Sequence, residues 1–183
     1  AGKTPEQLEW VSVAVLLPEY NEEGFRLYFD ELVAQEAYGW LGKQGALVKQ
    51  SADRAVFNEE MKNSLLQWIR KQDPAQFQAR NQMASQYVKL LRKFSSTSSR
   101  EYLNHLACLN YFDAEDLEFL FGASASDYAQ FIQDNPQYFE TGGRNQRLSP
   151  EYIDLVQEYR ALLPSSTTET LTQSAAEYWA DKS

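Results

Sequence analysis

The sequence predicts a mainly α-helical protein in two structural units, with one short β-hairpin in the second unit. Apolar residues recur at helical spacing along most of the chain, and capping residues, prolines or glycines stand at the ends of these stretches. The charge is also unevenly divided. Residues 1–94 hold 12 basic and 12 acidic side chains, whereas residues 95–183 hold 5 basic and 14 acidic ones. The change falls on a serine-rich run at residues 95–99, which indicates a boundary between two units.

We therefore predict a charge-balanced helical bundle over residues 1–94, a Ser/Thr linker at 95–98 and an acidic unit over 99–163. A last helix within 164–183 packs back on one of the two units. The chain is 43% hydrophobic and 14% aromatic, which is enough for a packed core. Its apolar runs are too short to span a bilayer, so we expect a soluble protein. Its single cysteine excludes an internal disulfide and favours the cytoplasm, and the alternative is an exported protein whose signal peptide has been removed.

The first unit is predicted to contain about four helices. Thr4-Pro5 and Asp73-Pro74 are helix starts, because a polar cap is followed by proline in the first turn. Pro18 ends the first helix. Between these points the apolar spacing predicts one helix from Phe25 to Val33 and another from Phe57 to Ile69. Three glycines that follow the second helix predict a loop: Gly39, Gly42 and Gly45.

The second unit is predicted to alternate short helices with one hairpin. Ser98 and Asp113 are the expected caps of its first two helices, and a third begins near Ser124 or Ser126. Two short polar runs flank Gly142-Gly143, which predicts a two-residue hairpin turn at these glycines. Phe139 and Leu148 then fall on one face of the hairpin. A further helix starts at Ser149-Pro150 and ends at Pro164.

The segment 114–132 resembles the helix-turn-helix family, and the order helix, short helix, turn, helix, hairpin is that of a winged helix. The resemblance covers residues 99–163 and implies a winged-helix-like unit whose wing is the hairpin at 138–148. It depends on two inward positions in the first helix of the motif, a glycine at the turn and two inward positions in the second helix: Leu117, Leu120, Gly122, Tyr128 and Phe131.

Winged helices bind DNA and also serve as protein-docking modules, so the resemblance implies two functions. Affinity for duplex DNA comes mainly from cations on phosphate, whereas the predicted second helix of the motif offers no cation and two carboxylates. We therefore expect a non-enzymatic adaptor or inhibitor that docks a basic protein through Asp127, Asp134, Tyr138 and Glu140, with Tyr138 as the anchor. The alternative is a DNA-binding regulator, which would use these residues: Ser126, Gln130, Gln133, Arg144 and Arg147.

No pattern predicts a catalytic site, a cofactor or a metal ion. Glu101, His105 and Cys108 share a helix face and could in principle hold zinc, but their apolar neighbours favour a largely buried structural role for His105 and Cys108. The acidic cluster at 113–118 fits helix capping, and a hydrolase with an unrecognised carboxylate site is the second alternative. An acidic face that only keeps the protein soluble is the remaining interpretation.

Overall fold

The computed structural model describes residues 2–50 and 55–183 and is mainly helical, as predicted. The chain divides into unit 1, residues 1–89, and unit 2, residues 90–183. This division lies inside the last turn of a helix and not at the serine-rich run. No helix within the described residues combines the length and apolar character needed to cross a bilayer.

Unit 1 has five helices and a small hairpin among its described residues. The helices are α1 (Pro5–Ala14), α2 (Glu22–Phe25), α3 (Glu31–Gly42), α4 (Glu59–Gln72) and α5 (Pro74–Leu91), the last of which extends into unit 2. The strands β1 (Val48–Gln50) and β2 (Ala55–Phe57) pair antiparallel, with Val48 opposite Phe57.

The core of unit 1 is built around a buried tyrosine. Tyr20 donates its backbone N–H to the carbonyl of Ala55, which attaches the segment after α1 to β2. Its ring packs against Phe25, Tyr38 and Phe57 at centroid distances of 5.7–6.1 Å. Aromatic burial of this kind is the main stabilising contribution in so small a unit.

Three details of the first unit differ from the prediction. The stretch from Phe25 to Val33 is not one helix, because α2 ends at Phe25 and Asp30 caps α3, which begins at Glu31. Phe57 belongs to β2, and α4 begins two residues later at Glu59, so the hairpin of unit 1 was missed. Gly39 and Gly42 lie within α3 and do not form a loop. A glycine inside a helix lowers stability by only about 1 kcal/mol relative to alanine. The buried Ala34, Ala37 and Leu41 on the same helix supply packing that outweighs this loss.

Unit 2 follows the predicted element order. Its elements are α6 (Thr97–Leu106), α7 (Ala114–Phe121), α8 (Ala125–Asp134), β3 (Phe139–Gly142), β4 (Asn145–Leu148), α9 (Pro150–Leu162) and α10 (Ser166–Lys182). Gly122 has φ +55° and ends α7, and the 3₁₀ turn Gly122–Ser124 leads into α8. Helix α10 packs on α6 and α7, so the last helix belongs to unit 2.

The predicted hairpin is present, with its turn one residue later than expected. Phe139 pairs with Leu148, as predicted, and Gly142 pairs with Asn145. The two turn residues are therefore Gly143 and Arg144, and Gly143 has φ +67° whereas Gly142 does not have a positive φ. A positive φ at the first turn residue, Gly143, and not at the second, Arg144, is the pattern of a type II′ turn, in which glycine is favoured at the first position.

The serine-rich run is part of unit 2 instead of a linker. Ser96 caps α6 by accepting the Ser99 N–H at 3.0 Å, so the helix begins at Thr97 and not after Ser98. The Ser95 hydroxyl lies 3.0 Å from the hydroxyl of Tyr138 and donates to the Ser99 hydroxyl at 2.9 Å. The capping hydrogen bond to Ser96 extends α6 toward its N-terminus.

Candidate functional site

Helix α8 presents a polar face to solvent. Its buried positions, Ala125, Tyr128, Phe131 and Ile132, repeat at helical spacing and fix which side faces the core. The opposite side carries the residues that the sequence analysis singled out on this helix. All five of them are exposed: Ser126, Asp127, Gln130, Gln133 and Asp134.

Three of these side chains form a row, which we call the α8 acidic face: Asp127, Gln130 and Asp134. They are three and four residues apart, and Gln130 donates a hydrogen bond to the Asp134 carboxylate at 2.8 Å. Asp127 lies in the first turn, where the helix dipole favours a carboxylate. Asp134 is the last residue of α8, where the dipole disfavours one. The face therefore holds a negative charge at a position that does not favour helix stability.

Glu140 and Arg147 neutralise each other on the hairpin. They are directly paired in the register of β3 and β4. Arg147 Nε donates a hydrogen bond to a Glu140 carboxylate oxygen at 2.8 Å, and Nη2 forms an ion pair with the same oxygen at 2.7 Å. The hydrogen bond to Glu140 raises the pKa of Arg147. The Arg147 guanidinium also lies 5.1 Å from the ring centre of Tyr111. Neither charge of this pair is fully available to a partner.

Tyr138 does not have the exposure expected of a partner anchor. Only 6% of it is accessible, and its hydroxyl lies beside that of Ser95. Its ring packs against Phe131 and Tyr152, with centroids 6.2 Å and 4.6 Å away. Tyr138 is therefore a core residue that joins the hairpin base to its neighbours, and this burial argues against the predicted role of an interface anchor.

The cations of unit 2 that follow the serine-rich run are mostly held inside the unit. Arg100 is buried, with its guanidinium 5.8 Å from the Tyr159 ring centre. Arg160 donates to Asn104 Oδ1 at 2.7 Å and lies 3.0 Å from the Cys108 sulfur. Lys182 pairs with Asp116 at 2.7 Å. Among residues 95–183, Arg144 at the hairpin turn is the cation that is exposed without an ion pair in the described structure.

His105 and Cys108 are half-buried, so the expectation that both are largely buried is only partly met. His105 Nδ1 lies 2.6 Å from the Tyr128 hydroxyl, and burial lowers the pKa of His105, which the nearby Glu101 opposes. Cys108 has the Arg160 guanidinium next to its sulfur. A fixed cation beside the thiol disfavours a bound metal ion. Within the described residues no group of three or more His, Cys, Asp or Glu side chains has the arrangement of a metal site.

The acidic cluster of α7 has structural contacts. Asp113 and Asp116 form a reciprocal capping box: Asp116 N–H donates to Asp113 at 3.0 Å, and Asp113 N–H donates to Asp116 at 2.8 Å. Asp116 also accepts hydrogen bonds from the Tyr178 hydroxyl at 2.8 Å and from Lys182 at 2.7 Å. With its oxygens engaged in this way, Asp116 is not poised as the general acid or base of a hydrolase.

One exposed aromatic residue was missed by the sequence analysis. Phe119 is 67% exposed on α7 and stacks on Tyr178 of α10. The helical spacing could have predicted this exposure. Leu117 and Leu120 were assigned to the inward face, and Phe119, which lies between them in sequence, points away from that face.

Comparison with family models, curated proteins and solved structures returned no match for this chain. The function is therefore argued from the residues themselves.

Proposed function

We propose that unit 2 is a winged-helix-like module that docks a basic protein through the α8 acidic face, so that the protein acts as a non-enzymatic adaptor or inhibitor. The element order supports the winged-helix part of this proposal. Helices α6, α7 and α8 are followed by a hairpin and then by α9. The hairpin is joined to the segment between α6 and α7, because Phe112 and Gln146 exchange backbone hydrogen bonds at 2.9 Å and 2.8 Å.

The observation that carries the docking proposal is the contrast between held cations and exposed acids. Arg100, Arg160 and Lys182 are each held by contacts inside unit 2, whereas Asp127 and Asp134 stand exposed on one helix face. A partner that approaches this face therefore meets two exposed carboxylates and no Lys or Arg of α8 itself. Such a face raises the association rate of a basic surface and repels phosphate.

Two of the four residues expected at the interface remain in this proposal. Asp127 and Asp134 supply the charge, and Gln130 between them adds a hydrogen-bonding amide. Glu140 contributes less, since Arg147 neutralises it, and Tyr138 contributes packing only. The chemistry of the partner follows from this face, because Lys or Arg side chains on a protein surface match two carboxylates that lie two helical turns apart.

The test is association with a fluorescent Lys/Arg-rich peptide, measured by anisotropy at several salt concentrations. The variant Asp127→Lys with Asp134→Lys reverses the charge of the face. The matched control is Glu151→Lys with Glu158→Lys on α9: both acids are exposed, they have the same seven-residue spacing, and one of them again lies in a first helical turn. Both double variants have the same net charge, so a general charge effect changes them equally.

We expect the α8 variant to slow association by tenfold or more and to reduce its salt dependence, while the α9 variant keeps most of the rate. Equal losses in the two variants would show that only net charge matters, and the docking proposal would then fail. That result would favour an acidic surface that serves solubility.

A DNA-binding regulator is the second candidate, and the exposed Arg144 at the hairpin turn is the observation that favours it. Exposed Gln130 and Gln133 on α8 could contact bases. Binding to duplex DNA that falls steeply between low and moderate salt, and falls further in Arg144→Ala, would support this function. Absence of binding at low salt would exclude it.

A further inference from the structure

Unit 2 carries an exposed aromatic pair that is separate from the α8 acidic face. Phe119 of α7 and Tyr178 of α10 stack with ring centroids 4.3 Å apart and an interplanar angle of 22°. Stacking covers one side of the Phe119 ring, yet two thirds of the residue remains accessible. The outer side of this ring therefore faces solvent. A single exposed aromatic residue is common and indicates no function by itself, so the residues around the pair decide what it can bind.

The position of the pair is fixed by hydrogen bonds beneath it. The Tyr178 hydroxyl donates to the buried Asp116 carboxylate at 2.8 Å, and Asp116 belongs to the capping box that starts α7. The same helix, α7, carries Phe119 three residues later. The carboxylate thus holds the Tyr178 ring, and Phe119 is positioned by its place on α7 and by stacking on Tyr178. A partner that stacks on Phe119 therefore orders few side chains on this surface, which lowers the entropy cost of binding.

The surroundings of the pair are acidic. Glu115 lies one helical turn before Phe119 on α7, and Asp181 lies three residues after Tyr178 on α10, and both are exposed. Lys182, the one cation beside the pair in the described structure, forms its ion pair with Asp116. Its ammonium also lies 5.4 Å from the Tyr178 ring centre. The pair therefore already accommodates one cation, on Tyr178, whereas no described cation lies over Phe119.

We propose that this surface, the Phe119–Tyr178 pair with Glu115 and Asp181, receives an arginine side chain of a basic protein partner. The guanidinium stacks on the outer side of the Phe119 ring, and its N–H groups are matched by the carboxylates on either side. The flat fork of arginine suits this combination of ring and carboxylates better than the compact ammonium of lysine. Nucleic acid is disfavoured as the occupant, because its phosphates would meet Glu115 and Asp181.

The inference rests on the proposed function for the basic character of the partner, but it concerns different residues. The probes are a short arginine–serine peptide and its twin with citrulline in place of arginine, which has nearly the same shape and no charge. Backbone amide shifts of the full chain are followed by NMR during each titration. We expect the arginine peptide to shift amides around Phe119 and Tyr178, and the citrulline peptide to leave them nearly unchanged.

Phe119→Leu removes the ring and keeps an apolar side chain of similar reach. We expect it to weaken binding of the arginine peptide at this surface about two- to fivefold, the range of an exposed cation–π contact. Phe119 is mostly exposed, so the variant keeps the unfolding midpoint of the parent protein. Tyr111→Leu is the matched control, because Tyr111 is another exposed aromatic residue of unit 2 whose ring already has Arg147 over it. It should leave the affinity unchanged.

The outcomes separate this inference from the proposed function. Binding that weakens about two- to fivefold in Phe119→Leu, and is retained in the Asp127→Lys and Asp134→Lys variant, supports the aromatic surface independently of the α8 acidic face. Unchanged affinity in Phe119→Leu overturns the inference, even if the α8 variant loses all binding. Equal shifts from the arginine and citrulline peptides also overturn it, because the contact would then not depend on charge.

Discussion

Replacing Asp116 with Asn tests how α10 is held on α7. Asp116 is 3% exposed and accepts hydrogen bonds from the Asp113 N–H, the Tyr178 hydroxyl and the Lys182 ammonium at 2.7–2.8 Å. Asparagine has the same shape, so it leaves no cavity, but it has no charge and only one acceptor oxygen. At least two of the three contacts are therefore lost or weakened.

The expected loss of stability follows from these contacts. Hydrogen bonds to a charged group exceed neutral ones by about 1 kcal/mol each. The Lys182 side chain is 45% exposed, so water replaces part of its interaction, and that pair counts for less than a buried one. We expect Asp116→Asn to lower the free energy of unfolding by about 2 kcal/mol, which corresponds to a fall in Tm of about 4–8 °C for a chain of this size.

The pH dependence gives a second signature. Burial alone would raise the pKa of Asp116, but the hydrogen bonds from Lys182, Asp113 and Tyr178 outweigh it and leave this pKa below its usual value. A carboxyl whose folded pKa is lowered stabilises the fold above its unfolded pKa and loses this effect as the pH falls through the folded value. The stability gap between the parent protein and the Asn variant should therefore be constant near neutral pH and close below about pH 4.

Urea and thermal unfolding at several pH values measure both signatures. Asp181→Asn is the matched control, since it removes an exposed carboxylate from α10, the helix that Asp116 holds, and should change stability by no more than about 0.5 kcal/mol. Equal unfolding free energies for the parent and Asp116→Asn at neutral pH, or a gap that widens in acid, would refute the reasoning.

Three further predictions concern single residues. Gly143→Val should lower the free energy of unfolding by about 1 kcal/mol, because Gly143 has a positive φ. Gly142→Val should be tolerated, since the space around Gly142 is open. Thermal unfolding that ranks the two variants the other way would contradict the observed turn. Tyr20 is 1% exposed and its hydroxyl has no hydrogen-bond partner among the described residues, so Tyr20→Phe should keep stability or raise it by up to about 1 kcal/mol, and a larger loss would reveal a bonded hydroxyl. His105 is the single histidine, and burial lowers its pKa, so an NMR titration should place its midpoint below 6.5, and a value above 6.5 would contradict the observed burial.

The helix starts were largely predictable, because caps act over three or four residues. Thr4-Pro5, Asp73-Pro74 and Asp113 begin α1, α5 and α7 where the sequence placed them. The start of α6 was misplaced by two residues, since several serines in a row each offer a capping hydroxyl. Ser96 is the serine that caps, and its neighbour Ser95 contacts Tyr138, 43 residues away, a contact that the local sequence does not reveal.

The hairpins show the limit of pattern alone. The turn in unit 2 could be predicted from its two glycines, but only the pairing of Phe139 with Leu148 decides which glycine needs a positive φ. In unit 1 the strands are three residues long, too short for alternation to stand out. Phe57 then fits a helical pattern equally well, and its place in β2 depends on packing against the distant Tyr20.

The candidate site also has features that the sequence could predict and features that it could not. Exposure of Asp127, Gln130 and Asp134 followed from helical periodicity, which the structure confirms. The burial of Tyr138 could not be predicted from periodicity, because it depends on contacts with Phe131 and Tyr152 from neighbouring elements. An aromatic residue in a polar stretch is compatible with both an anchor and a core position, and only tertiary contacts distinguish them.

The carboxylates of unit 2 differ in their relation to local stability, and this difference guides where a partner is sought. Asp113 and Asp116 cap α7, and Asp116 also binds α10, so their charges stabilise the unit. Asp134 closes α8 at the end where the helix dipole favours a cation, and the chain places no Lys or Arg within that helix. A charged residue that is unfavourable at its own helix end, and has no compensating ion pair, is expected at functional positions more than at structural ones. The structural test therefore belongs on Asp116, and the functional test on Asp134 together with Asp127.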